Sequence, residues 1–122
     1  MKLNFIETTS TQRQFIATVS KLGSLYLNVY TVDKLKLNDT MAFKLAYDID
    51  NKHHNVFYAL AVDKGELDSF NLIQGNTTTC LVVRIRQVLN SLKIDYSMGK
   101  KKFKISEVNY EGNKFIKFEL IN

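Results

Sequence analysis

Four lysines crowd one short stretch, Lys100, Lys101, Lys102 and Lys104, and Lys117 follows on the next segment beside Phe115 and close to Tyr110. Ammonium groups neutralise phosphates and aromatic rings stack on bases, a pairing that suits sequence-tolerant recognition of single strands. Successive strand residues alternate between faces. Lys102, Lys104 and Ser106 therefore share one face, with Phe103, Ile105 and Glu107 on the other. On the following segment Phe115, Lys117 and Glu119 share a face opposite Ile116, Phe118 and Leu120. One sheet face then combines lysines with a ring. The candidate nucleic-acid contacts are Lys100, Lys101, Lys102, Lys104, Lys117, Tyr110 and Phe115. The competing structural reading is a lysine-guarded sheet edge. Lys44, Arg84 and Arg86 either extend the patch or face elsewhere.

Other chemistry finds less support. His53 and His54 are the only histidines. Adjacent strand residues point apart, and a metal needs three or four convergent ligands, so with Asp48 and Asp50 they read as a solvated turn. Asp63, Glu66 and Asp68 sit in one loop among lysine and glycine, the best of the poor carboxylate clusters for acid–base work. No nucleophile elbow accompanies the histidines, and Gly65 and Gly75 are isolated, which rules out a glycine-rich phosphate loop. Cys80, the single cysteine, excludes an intrachain disulfide and reads as a small buried hydrophobe at a helix start. The expectation is a protein that is not an enzyme and has no metal, cofactor or small-molecule substrate.

These residues need a scaffold. At 122 residues, 45% hydrophobic and 24% charged, the chain reads as a single globular domain, 1–122, with residues 1–11 as a loose N-terminal arm. A net charge of +5 favours polyanionic partners. No stretch reaches the ~20 apolar residues of a membrane helix and no signal peptide is visible, so the expected location is cytoplasmic, without membrane contact. No internal repeat stands out.

Strands are expected at Phe15–Ser20, Ser24–Asn28, Met41–Asp48, Val56–Val62 and Ser69–Gln74. A C-terminal hairpin of Lys102–Val108 and Lys114–Ile121 turns at Tyr110–Asn113. Val29, Val32 and Leu35 place a short helix near 30–35 with Asn28 as N-cap. Leu81, Val82, Ile85, Val88, Leu89 and Leu92 recur at helical spacing and predict one long amphipathic helix at about 79–93, capped from Thr77–Thr79. The fold class is therefore α+β, a mainly antiparallel sheet of short strands packed on that helix, in the order ββ(α)βββαββ.

Gly23-Ser-Leu25-Tyr-Leu27, the short helix, Leu35-Lys-Leu37 and Phe43-Lys-Leu45 together resemble the swapped-hairpin unit of AbrB-like transition-state regulators. That resemblance implies dimers that interleave such units and bind DNA. The whole chain, strands followed by a helix in a small basic protein, is similar to single-stranded-DNA-binding domains of the positive-cofactor-four and whirly kind, and to small phage and mobile-element proteins. The functional expectation is a homodimeric nucleic-acid-binding module that prefers single-stranded DNA. The alternative is a phage-type or mobile-element-type accessory subunit that binds protein through a strand edge.

Overall fold

In the computed structural model, which describes residues 1–4, 15–50, 55–75 and 80–121, runs rich in β-branched, aromatic and other apolar residues, most of them alternating between core and surface, build eight strands. They are β1 (Ile16–Val19), β2 (Ser24–Leu27), β3 (Met41–Ala46), β4 (Val56–Asp63), β5 (Phe70–Gln74), β6 (Leu81–Arg84), β7 (Lys101–Tyr110) and β8 (Asn113–Ile121). All pair antiparallel and close into a barrel in the order β1-β2-β6-β5-β3-β4-β8-β7. Two six-residue helices, α1 (Val29–Lys34) and α2 (Arg86–Ser91), link β2 to β3 and β6 to β7.

The barrel corrects the expected α+β sheet packed on a long helix at 79–93. Leu81, Val83 and Ile85 are buried, while Val82 is half-buried and Arg84 exposed. That is a period of two, so the first part of the helical pattern is strand β6. Val88, Leu89 and Leu92 then follow Ile85 at helical spacing, and α2 begins at Arg86. Leu81 and Ile85, four residues apart, fit either period, and tertiary pairing decides between them. β6 fills the place between β2 and β5 that closes the sheet. Cys80 accordingly precedes a strand, not a helix, and the capping threonines 77–79 lie outside the described residues. The helix near 30–35 is present, and Asn28 caps it by accepting a 2.8 Å hydrogen bond from the Thr31 N–H.

Inward side chains fill the lumen. Phe57 stacks on Phe118 at 4.9 Å between ring centroids and meets Phe103 edge-on at 5.3 Å. Val19, Leu25, Leu27, Phe43, Leu72, Val83 and Leu89 complete a continuous, solvent-excluded core. Burial on this scale is the main stabilising term for a domain of this size.

The topology contains a repeat that the sequence hides. Each half is ββαββ, and exchanging β1–β4 with β5–β8 leaves the circular strand order unchanged. The ladders agree: the exchange makes Val19 equivalent to Leu72, Leu25 to Val83, Phe43 to Phe103 and Ala59 to Phe118. Both helices end in the same way. Leu37 N–H reaches Val32 O and Lys36 N–H reaches Asp33 O; Ile94 reaches Leu89 and Lys93 reaches Asn90 in the same pattern. Lys36 and Lys93 both take positive φ, 54° and 57°. These are paired Schellman ends with lysine where glycine is usual. The pseudo-twofold axis crosses the β2–β6 ladder at Leu25–Val83 and the β4–β8 ladder at Tyr58–Lys117. The two ββαββ halves interleave around one closed ring.

Candidate nucleic-acid interface

The β7–β8 hairpin turns through Glu111 and Gly112, both at positive φ (49° and 80°). This two-residue turn matches the twist of the flanking strands and fixes their register. Lys102 then faces Ile121, Lys104 faces Glu119, Ser106 faces Lys117 and Val108 faces Phe115. Phe103, Ile105, Ile116 and Phe118 point into the core. The outward row is therefore Lys102, Lys104, Lys117, Phe115 and Tyr110, about 26 Å from end to end at ~3.3 Å per residue. Tyr110 and Phe115 meet edge-on at 6.1 Å.

Five of the seven predicted contacts thus share one face. Lys100 and Lys101 do not. Lys100 takes positive φ before the strand begins. Lys101 lies at the strand's first position, near Asp95. Hydrogen bonds from the Ser97 hydroxyl and then its backbone N–H hold the Asp95 carboxyl below the usual carboxylate range, and Lys101 adds to the effect. Glu107 pairs with Lys114 at 3.2 Å. Arg84 and Arg86 lie on the opposite wall, since β6 and β8 are four places apart around an eight-membered ring.

The lysines do not guard an edge. β7 is paired to β8 on one side and, over Lys101–Lys104, to β1 on the other. The strand-edge route to a protein partner is therefore closed over that segment.

At the hairpin tip the row opens into a groove of about 580 Å³. Tyr47, Tyr58, Tyr110 and Phe115 supply its rings, Lys117 one cation, and Asp48 and Asp50 two carboxylates. Sequence reading found Tyr110, Phe115 and Lys117 but missed Tyr47 and Tyr58. Both fall on alternating strand patterns, which give a face but not a neighbour. Only the β3–β4 and β4–β8 ladders bring Tyr58 beside Ala46 and Lys117.

Among the described residues no group of three or more His, Cys, Asp or Glu converges on a metal position. His53 and His54 lie outside those residues. Asp63, Glu66 and Asp68 are exposed, with Glu66 3.8 Å from Lys44. Among the described residues no helix is long and apolar enough to cross a membrane. No family model, curated protein or solved structure matches the chain.

Proposed function

We propose that this protein is a binding module for single-stranded nucleic acid, DNA in the first instance, held along the outer face of β7–β8. The observation that carries the reading is the outward row in which Lys102, Lys104 and Lys117 lead into a groove walled by four rings. The lysines neutralise phosphates and the rings take an unstacked base. Glu119 sits opposite Lys104 and lowers the positive potential there. The groove carboxylates disfavour a phosphate but accept hydrogen bonds from exocyclic amino groups, as acidic side chains do from cytosine N4. Phosphates are therefore assigned to the lysine row and a base to the groove, with cytosine preferred over thymine.

The test is fluorescence anisotropy of labelled oligo(dC), oligo(dT) and duplex over a salt series. Single-strand binding loses about 0.7 in the log–log salt slope per phosphate neutralised, so three lysines give roughly −2.1. Lys102→Gln with Lys104→Gln brings the slope to about −0.7. Tyr110→Ala weakens binding roughly 5- to 150-fold with little change of slope, the effect of one lost stacking contact. Absence of binding at low salt, or an unchanged slope in the double variant, overturns the assignment and favours a protein-interaction subunit.

A further inference from the structure

The wall opposite the hairpin carries a second groove, of about 880 Å³, over β2, β6 and β5. Its floor is apolar, with Val82 paired to both Tyr26 and Ile73 on the outward side. Arg84 and Arg86 line it, and among the described residues no Asp or Glu does. Gln87 and Asn90 contribute side-chain amides.

We infer that this groove is a binding site for a nucleoside monophosphate. Guanidinium groups bind phosphate in a planar, often bidentate fashion and stay charged at any working pH. Tyr26 is 40% exposed and lines the groove, which makes it the aromatic partner for a planar base. Tyr26 and Arg84 are pseudo-twofold equivalents about the Leu25–Val83 pair, and they stand diagonally across the β2–β6 ladder. Diagonal neighbours are about 7–8 Å apart, a spacing of the order of that between the base and phosphate of one nucleotide. The Gln87 amide both donates and accepts toward a base edge, while Asn90, whose Oδ1 accepts from the Tyr96 hydroxyl at 3.0 Å, offers its amide N–H groups.

Arg86 is held in place before any ligand arrives. Its Nε donates to Leu22 O at 3.2 Å, and its backbone packs on Gly23, where a Cβ would stand 2.9 Å from Arg86 Cα. Such preorganisation reduces the ordering cost of binding. The site is separate from the hairpin face by half the barrel circumference, so the two stand or fall independently.

The experiment is calorimetric titration of the full chain with AMP, CMP, adenosine and inorganic phosphate, with backbone amide shifts mapped for each. AMP or CMP is expected to bind more tightly than adenosine or phosphate alone, with shifts centred on Tyr26, Val82 and Arg84. Arg84→Ala is expected to weaken the nucleotide by roughly 10-fold or more, the loss of a charged hydrogen-bonding partner. Lys102→Gln with Lys104→Gln should leave nucleotide affinity unchanged. Thermal unfolding verifies that each variant is folded, and Arg84→Lys provides a second, milder variant with intermediate loss. Equal affinity for phosphate and nucleotide, shifts confined to the hairpin face, no saturable binding, or indifference of the nucleotide to both Arg84 variants overturns the assignment.

Discussion

Replacing Gly23 by alanine tests how tightly the β1–β2 turn is seated against α2. Gly23 has φ of 80°, and a Cβ there would lie 2.8 Å from Arg86 Cβ and 2.9 Å from Arg86 Cα. Two costs follow. A left-handed backbone costs an L-residue about 1–2 kcal/mol. Forcing a methyl into packed atoms adds typically ~1–3 kcal/mol, here against backbone that cannot swing aside. The sum is about 2–5 kcal/mol, or a fall in Tm of roughly 6–25 °C at about 3–5 °C per kcal/mol. Gly112→Ala separates the terms, because Gly112 also has φ of 80° but nothing within 4 Å of its would-be Cβ. It should lose only the first ~1–2 kcal/mol. Arg86→Ala cannot relieve Gly23→Ala, since Cβ and Cα make the close contacts; Arg86→Gly relieves it in part. Urea unfolding of the four variants gives the energies. Equal losses for Gly23→Ala and Gly112→Ala would refute the steric argument and with it the seating of Arg86.

Two further outcomes follow from buried Thr31 and from Cys80, which is half-buried and not the buried hydrophobe expected. Thr31 is fully buried on α1 and its hydroxyl has no hydrogen-bond partner among the described residues, so Thr31→Val should stabilise the protein by about 1 kcal/mol in urea unfolding; a loss would mean that the hydroxyl is satisfied. Cys80 Sγ donates to Leu27 O at 2.9 Å, and burial pushes its thiol pKa up. A raised pKa in the fold leaves its contribution intact below the unfolded thiol's value of ~8.5, and stability falls as pH rises above it. Cys80→Ala should flatten the unfolding free energy between about pH 8 and 10, and wild-type Cys80 should react slowly with thiol reagents at neutral pH; an unaltered pH profile would argue against the shift.

Most strand positions were legible in the residues because their determinants are local, but closure into a barrel was not, and the expected sheet on one long helix gives way to eight strands around a ring. Alternation located seven of the eight strands, Asn28 marked the start of α1, and Glu111-Gly112 marked the hairpin turn. The internal repeat was not legible, because most equivalent positions keep their place in the barrel and not their identity: Val19 answers to Leu72 in the core, and Asn28 answers in the second helix to Ile85, which caps with no side-chain bond. The hairpin face was readable from register, whereas the rings of Tyr47 and Tyr58 reach the groove through strands distant in sequence.

The sequence by itself determined the strand faces, the turns and the charge balance, since each depends on neighbours a few residues away. Only the tertiary structure decided that Leu81–Arg84 is a strand, because its two periodicities are resolved by hydrogen bonds to β2 and β5 and not by its own side chains. Closure of the ring then decided the rest. It paired the lysine strand on both sides over Lys101–Lys104 and carried Arg84 to the wall opposite Lys117.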